Sequence, residues 1–331
     1  MLARLLFSFA VIYVVWGSTY LGIRVALESL SPFLMAATRF LLAGGVLYAF
    51  ARLRGAARPE RSAWHGAFTL GGLMFLLGNG MVVWAETRVN SGLTALIASA
   101  TPLWVVVIDH LRPGGREATR AKWGGVALGI LGLVILFLPD VAGGPRLDTL
   151  GALAVMGASV SWAVGSVSSR GLRLPSDPAL ASGMTMLGGG VLLAVVAVAN
   201  GEVAAFDVAA VTGRSLAAWL YLVLFGSILA FTCFTWLLHT VDPVKVATSG
   251  LVNPLVALLL GWWLANEAVG RQAVLAAAVT LAGLALILLA PEIRRSPPGR
   301  TAETAVPEPD IAPVGPEAAE VACGAETKAA A

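Results

Sequence analysis

The stretch WGSTYLGIRVALESLSPF at residues 16–33 decides the fold, because the second half of the chain answers it with WAVGSVSSRGLRLPSDPA at residues 162–179. Trp16 and Pro32 in the first copy have the same separation as Trp162 and Pro178 in the second. A second set of markers follows downstream, where Pro102 and Pro139 are matched by Pro254 and Pro291. The sequence between these markers is mostly apolar, so it predicts a duplicated unit embedded in a membrane, which is a common construction among transporters.

Composition places most of the chain in a membrane. Hydrophobic residues make up 58% of the sequence, charged residues make up 12%, and the mean hydropathy is +0.83. Soluble proteins are roughly half apolar and about a quarter charged, so a soluble domain of this size could not cover so much apolar surface. The net charge of +3 gives no reason to expect a nucleic-acid partner. Cys233 and Cys323 lack the spacing of a metal site, and neither a metal nor a cofactor is expected.

Ten apolar segments are long enough to cross a bilayer core of about 30 Å as helices. They cover residues 5–23, 33–51, 65–86, 91–110, 122–138, 150–169, 179–199, 216–238, 244–265 and 272–290. The predicted fold is an all-α membrane protein with ten transmembrane helices in two five-helix repeats, at residues 5–138 and 150–290. Residues 291–331 are rich in proline, alanine and acidic residues, which predicts a disordered cytoplasmic tail.

Lysine and arginine residues set the predicted orientation. With a cytoplasmic N-terminus, the ten segments assign sixteen of these residues to the inner side and five to the outer side, as the positive-inside rule requires. Both termini are then cytoplasmic. Because each repeat contains an odd number of spans, the second repeat enters the membrane from the opposite side, and the two repeats are inverted.

Prolines and small residues predict how the helices bend and pack. Pro102 and Pro254 lie inside the fourth and ninth segments, where a proline removes a backbone hydrogen bond. We expect two bent helices that line and gate the transport path, although static kinks needed for packing fit the same pattern. Small-residue pairs, Gly125 with Gly129 and Ala278 with Ala282, favour close packing either within one protomer or in a homodimer.

Several stretches of the sequence resemble EamA domains. They are WGSTYLGIRVALESLSPFLMAATRFLLAGG (16–45), SGLTALIASATPLWVVV (91–107) and WGGVALGILGLVIL (123–136) in the first half, and SWAVGS (161–166), VKVATSGLVNPLVALLLGWWLANE (244–267) and AGLALILL (282–289) in the second. Together they resemble a two-domain EamA member of the drug/metabolite transporter superfamily. LLGNGMVVWAE (76–86) and FGSILAF (225–231) are most similar to its YedA-type exporter branch.

The resemblance implies ten spans, a place in the bacterial inner membrane, and export of small metabolites or drugs. The chain departs from the family in one loop. The family often has a Gly-Glu pair after the fourth span, whereas this loop reads LRPGGRE (111–117), and the second-half counterpart keeps Glu267.

Aromatic residues that share helix faces with polar residues predict the substrate site. Aromatic walls with a few polar groups suit an amphipathic or amino-acid-like small molecule. Helix packing and interface anchoring are the alternative roles for the tryptophans. The predicted substrate-binding residues are Trp16, Thr19, Tyr20, Asn79, Trp162, Ser166, Trp236 and Asn253.

Three ionisable residues within or at the ends of the spans are candidates for ion pairing or proton coupling, because a charge inside a membrane is costly. Arg39 and Glu86 are expected to form an ion pair near the outer mouth. Glu86 or Asp109 is expected to carry the proton if export is proton-coupled. Snorkelling of Arg39, interfacial positions for the two acids, and uncoupled export stay open.

The leading hypothesis is a secondary exporter that works by alternating access, not an enzyme. The chain contains no GxxxxGK[ST] loop, which excludes an ATP-driven pump within this polypeptide. An integral-membrane enzyme acting on a lipid-like substrate would need clustered acids or histidines, and His65, His110 and His239 are far apart in the sequence. An uncoupled facilitator or channel is the remaining alternative.

Overall fold

The computed structural model describes residues 1–113, 118–138, 148–241, 246 and 249–291. Within these ranges the chain is helical and contains no strand. Pro139 and the predicted tail beyond Pro291 lie outside the described residues, as do residues 114–117 of the departing loop.

The long helices follow the predicted segments to within a few residues at most ends. In chain order they are α1 (Leu2–Ala26), α2 (Pro32–Leu53), α3 (Arg61–Ala85), α4 (Ser91–Leu111), α5 (Arg120–Phe137), α6 (Thr149–Ser168), α7 (Pro178–Ala199), α8 (213–240), α9 (Ser249–Ala265) and α10 (Arg271–Leu289). The matched prolines Pro32 and Pro178 each occupy the first position of a helix, where the missing N–H has no intrahelical partner to lose.

Eight of the described helices are long and apolar enough to cross a membrane. The two other long helices are α5, with 18 residues, and α9, an apolar helix of 17 residues. In the part of the chain that the structure describes, the fold is therefore all-helical, as expected for a multi-pass membrane protein. The count of ten spans and the inverted relation of the repeats stay predictions at this point.

Helix pairing repeats between the two halves of the chain. The most extensive contacts join α2 to α7 and α5 to α10, and α4 also packs against α9. α1 packs against α8 and α9, and in the same way α6 packs against α3 and α4. Exchanging the first five helices for the last five maps these pairs onto one another, as expected for two related repeats.

Glycine residues allow the closest of these approaches. A Cβ on Gly44 of α2 would lie 2.8 Å from the Gly183 carbonyl oxygen of α7, and a Cβ on Gly183 would lie 2.7 Å from the Tyr48 backbone nitrogen. Only a residue without a side chain fits at such a crossing.

The glycines of α5 pack inside the protomer. A Cβ on Gly283 of α10 would lie 2.5 Å from the Gly129 nitrogen and 2.6 Å from the Gly125 oxygen. Ala278 and Ala282 instead lie on the exposed face of α10. The α5 pair therefore serves packing within the protomer, and the homodimer stays a prediction that concerns the exposed face.

The two matched prolines have different effects on their helices. The α-helical hydrogen bonding of α4 is interrupted at Ser99 and Ala100, just before Pro102, whereas α9 continues through Pro254. An interruption beside the proline is therefore present in α4, and the bending and gating of both helices stay predictions. Near Pro254, the side chain of Asn253 bonds to backbone carbonyls of α1, as described below, and this contact supports the helix where the proline cannot donate a hydrogen bond.

The glycine crossing of α2 and α7 yields a test with neighbouring positions. We expect Gly44→Ala to lower the free energy of unfolding by about 1–3 kcal/mol, because the added methyl group meets the backbone of α7. Gly45→Ala should be neutral or stabilising by up to about 1 kcal/mol, because a Cβ there meets no atom within 4 Å and alanine favours the helix. Thermal unfolding of both purified variants in one detergent measures the difference. Equal midpoints would contradict the proposed close packing.

Candidate substrate site

Four aromatic side chains, two from each repeat, form a row of ring contacts. Trp16 of α1 lies 5.6 Å from Phe231 of α8, measured between ring centroids. Phe231 lies 6.1 Å from Phe75 of α3, and Phe75 lies 6.2 Å from Trp162 of α6. We call these four residues the aromatic row. It begins and ends on the matched tryptophans from which the repeat was recognised.

Further aromatic contacts brace the row. Phe40 of α2 lies 4.5 Å from Phe75, and Phe234 of α8 lies 5.0 Å from Trp16. Edge and tilted arrangements at these distances add to the stabilisation from burial alone. The indole Nε1–H of Trp16 donates to the Gly226 carbonyl oxygen at 3.2 Å. The row therefore has a defined position as well as an apolar surface.

Wide helical turns lie beside the row in three helices. π-Helical hydrogen bonding covers Val11–Val15 of α1, Gly72–Gly80 of α3 and Leu222–Leu229 of α8. Such turns shift the backbone hydrogen-bond register and are frequent at functional sites. They also leave carbonyl oxygens that accept hydrogen bonds from side chains.

Polar side chains bond to these carbonyl oxygens. Ser161 of α6 donates to the Leu73 oxygen at 2.8 Å. Asn253 of α9, with its amide oriented as its neighbours require, donates to the Ile12 and Tyr13 oxygens at 3.2 Å. Asn79 donates to the Met74 oxygen of its own helix at 3.3 Å. In this structure, Asn79 and Asn253 therefore bond to the backbone.

The other predicted binding residues divide into two groups. Thr19 and Ser166 donate to the carbonyl oxygens of Trp16 and Trp162, at 2.6 and 2.8 Å, so they lie on the same helices as the ends of the row. Tyr20 is half-buried one turn beyond Trp16. Trp236 lies outside the row, where the Arg4 guanidinium stacks over its ring at 4.5 Å.

Arg39 of α2 is buried beside the row. Its side chain is 4% exposed, and its Nε–H donates to the Ser227 hydroxyl of α8 at 2.9 Å. One terminal amino nitrogen lies 3.2 Å from where a Cβ of Gly226 would stand, next to the acceptor of the Trp16 indole. The two terminal amino groups make no hydrogen bond to a described residue, and the guanidinium carbon lies 4.9 Å from the centroid of the Phe40 ring. Four N–H donors of a buried cation are thus available at one end of the row.

Glu86 is fully buried just after α3 ends. Neither of its carboxylate oxygens accepts a hydrogen bond from a described residue. Its backbone oxygen accepts from Arg24 at 2.6 Å, and the charges of Glu267, Arg24 and Arg39 act on its carboxylate. The direct ion pair expected between Arg39 and Glu86 is not formed, because neither Glu86 carboxylate oxygen has a hydrogen-bond partner and Arg39 bonds through Nε to Ser227. Tyr20 is also within electrostatic range of Glu86.

Asp109 lies in the last turn of α4, at the opposite end of that helix from the α3–α4 connection where Glu86 lies. Its neighbour His110 accepts a hydrogen bond from the Ala118 backbone nitrogen at 3.3 Å and packs edge-on against Trp123 at 5.3 Å. Asp109 and Glu86 are therefore near opposite ends of the bundle, and only Glu86 lies close to Arg39.

An apolar groove lies apart from the row. It has a volume of about 520 Å³, and its lining includes Phe33, Trp84, Leu150 and Leu153. Leu150 and Leu153 are largely exposed, as expected for a surface that faces lipid. The groove contains no member of the aromatic row and none of the charged residues discussed above, so we do not assign the substrate to it.

Sequence reasoning identified the ends of the row but missed its centre. Phe75 lies outside every quoted stretch, and Phe231 and Ser227 lie in FGSILAF (225–231), which carries the family resemblance without indicating a binding role for either residue. The repeated tryptophans were a usable signal because they recur in register. The pairing of Phe75 with Phe231 depends on how α3 and α8 rotate against each other, which a single sequence does not encode in its spacing.

Comparisons with known proteins agree with this architecture. The model of the EamA-like transporter family matches residues 4–138 and again 149–289. An uncharacterized inner membrane transporter, YedA of Escherichia coli, is 35% identical over 282 residues, which cover 84% of this chain and 88% of the relative. Protein PecM of Dickeya dadantii is 30% identical over 252 residues, covering 75% of this chain and 80% of PecM.

A solved crystal structure also shares the fold. It superposes with a TM-score of 0.60 at 23% sequence identity and covers 86% of this chain and 96% of its own. The two regions matched by the EamA-like family model, residues 4–138 and 149–289, together span nearly all of the described helices. The chain belongs to the EamA-like transporter family.

Proposed function

We propose that this protein is a secondary exporter of small amphipathic molecules that carry an aromatic group and a carboxylate, as amino-acid-like compounds do. The observation that carries this proposal is the aromatic row from Trp16 to Trp162, which meets the available donors of Arg39 at one end. Aromatic walls with a few convergent polar groups are typical of small-molecule sites. The export direction follows the family resemblance.

Alternating access between two inverted five-helix repeats is the proposed mechanism. The symmetric helix pairing supports it, and so does the distribution of lysine and arginine between the two sides of ten spans. We place the protein in a bacterial inner membrane with both termini in the cytoplasm. The row lies where the repeats meet, so rocking one repeat against the other exposes it to each side in turn. Pro102 and Pro254 lie in α4 and α9, the paired helices we assign to gating.

Arg39 is the proposed recognition group for the substrate carboxylate. A guanidinium presents its N–H donors in a planar fork that matches the two oxygens of a carboxylate, so a bound carboxylate fits the geometry of the Arg39 terminal amino groups. The neighbouring rings then contact the apolar part of the substrate. This arrangement distinguishes aromatic carboxylates from aliphatic amines, because no anionic group lies on the row itself among the described residues.

Glu86 is the proposed coupling group. A fully buried carboxylate without hydrogen-bond donors is poorly stabilised as an anion, and opening the outer side would hydrate it. Proton entry is linked to substrate export when the carboxylate takes its proton from the outside as the outer end closes around it, and releases that proton to the inside in the inward-facing conformation; this is the order we propose. Asp109 is the weaker candidate, because it lies far from Arg39 and the outer ends of the helices.

Replacing Trp162 tests the row. In proteoliposomes, counterflow of labelled L-phenylalanine, L-tyrosine and L-tryptophan measures transport without a proton gradient. We expect Trp162→Ala to raise the half-saturation concentration about two- to tenfold, because an aromatic contact contributes about 0.5–1.5 kcal/mol, and Trp162→Phe to restore most of the lost affinity. Trp262→Ala is the matched control, because Trp262 is 59% exposed on α9.

Two results would count against the row as the substrate site. One is equal half-saturation in Trp162→Ala and Trp262→Ala. The other is that none of the three amino acids shows counterflow with the parent protein, which would make the proposed substrate class wrong.

Replacing Glu86 tests coupling. Glu86→Gln keeps the size of the side chain but cannot release a proton, so accumulation driven by an imposed pH gradient should be lost while counterflow is retained. Asp109→Asn should retain both. If Glu86→Gln still accumulates substrate at the parent rate under a pH gradient, Glu86 is not the coupling group. If gradient-driven accumulation is lost only in Asp109→Asn, coupling belongs to Asp109.

A further inference from the structure

Glu267 lies after α9, in the second repeat, but its carboxylate caps α4 of the first repeat. The backbone N–H and the hydroxyl of Ser91 donate to Oε1 at 3.0 and 2.8 Å. The backbone N–H of Gly92 donates to Oε2 at 3.1 Å. We call this group of three hydrogen bonds the Glu267 cap. Both carboxylate oxygens are used, which makes it a bidentate contact with the positive end of the helix dipole.

The backbone around Glu267 folds tightly to reach α4. Asn266 adopts a left-handed conformation with φ of +51°, which ends α9. The Glu267 backbone N–H then donates to the Gly261 oxygen at 3.0 Å. A Cβ on Gly261 would lie 2.5 Å from Oε2 of Glu267, so a larger residue there would displace the carboxylate. The end of α9 is therefore shaped around the docked side chain.

α4 has no cap of its own. The side chain of Asn90, which precedes the helix, makes no capping hydrogen bond. By contrast, four other helices carry local caps, from Thr119, Asp148, Asp177 and Thr212. Ser91 is fully buried, so water cannot replace the missing acceptor. The start of α4 depends on the second repeat for its hydrogen bonds.

The cap lies on the boundary between the repeats. A Cβ on Gly92 would lie 2.8 Å from the Leu258 side chain of α9, so α4 and α9 are in close contact beside the cap. α4 and α9 are the matched proline-containing helices of the two repeats. In the orientation set by the positive-inside rule, this end of the bundle faces outward. Separation of α4 from α9 at this end breaks all three hydrogen bonds.

We propose that the Glu267 cap is a releasable contact that holds the outer end of the transport path closed, and that Glu267 is a positioning residue for the gate. The proposal rests on the alternating access of the proposed function. In the closed conformation, the Glu267 carboxylate supplies hydrogen-bond acceptors to the buried first-turn amides of α4. When α4 and α9 separate, water enters and forms hydrogen bonds with both the α4 amides and the Glu267 carboxylate. Neither side is then left without a partner, so the contact can open and close reversibly.

Glu202 offers a control with the same chemistry. It also lies in the second repeat and caps a helix of the first, because the Leu34 backbone N–H of α2 donates to its Oε2 at 2.8 Å. Partial burial raises the pKa of Glu202, while this hydrogen bond and one from Phe33 oppose the shift. Its helix, α2, is joined to α7 by the glycine crossing rather than to α9. Loss of this cap leaves the α4–α9 boundary intact.

Alkylation of a cysteine introduced one turn inside α4 tests the proposal. Thr94 is fully buried, so Thr94→Cys reacts with N-ethylmaleimide only when the outer end opens. The full chain is reconstituted in nanodiscs with Cys323→Ser, and the native Cys233, which is buried in α8, is kept as a reporter of general loosening. The variants compared in this background are Glu267→Gln, Ser91→Ala and Glu202→Gln.

We expect Glu267→Gln to raise the alkylation rate of Thr94→Cys about tenfold, because it removes the charge and one acceptor of the cap. Ser91→Ala removes one of three hydrogen bonds and should give a smaller increase. Glu202→Gln should match the parent, and Cys233 should react at the parent rate in every variant.

Two outcomes would overturn the proposal. Equal rates for Glu267→Gln and Glu202→Gln would show that the cap does not hold the end closed. A parallel rise at Cys233 would show that the substitution loosens the whole fold. Alkylation needs no substrate, so a failed counterflow assay would refute the proposed function without changing this result.

Discussion

The need to satisfy backbone polar groups inside an apolar bundle is the constraint on which the rest of this structure depends. In a membrane, no water is available to carbonyl oxygens released from regular helical hydrogen bonding. The wide turns of α1, α3 and α8 expose such oxygens, and Asn253, Ser161 and Trp16 donate to them from neighbouring helices. Each of these hydrogen bonds joins two helices and fixes the rotation of one helix about its axis relative to the other. The aromatic row is the result, because its rings lie on the faces that these bonds hold together.

The same constraint operates at the helix ends, where contacts between the repeats replace local caps. Glu267 and Glu202 supply acceptors to α4 and α2, and the Gln272 amide of α10 donates to the Ile135 and Leu138 oxygens at the end of α5. These contacts cross from the second repeat to the first. A conformational change that moves the repeats must exchange these contacts for water, which concentrates the cost of opening at a few identifiable side chains.

The sequence predicts the helices well and the site only in outline. Helix ends follow from apolar length and from prolines such as Pro32 and Pro178, because both are local properties. Trp16 and Trp162 were predicted to share a site, and they do lie at the two ends of one row. The central rings, Phe75 and Phe231, were missed, because contacts between helices depend on rotation rather than on spacing. Arg39 and Glu86 lie near each other without pairing, because the direction in which each side chain extends depends on helix packing rather than on spacing along the chain.

The central claim, that substrate binds along the aromatic row between the repeats, is tested most directly by photoaffinity labelling with a diazirine analogue of L-phenylalanine, followed by peptide mapping. We predict labelling of peptides that contain Trp16, Trp162 and Phe231, and loss of that labelling when excess L-phenylalanine competes. Competable labelling confined to the apolar groove at Trp84 and Leu150 would contradict the claim.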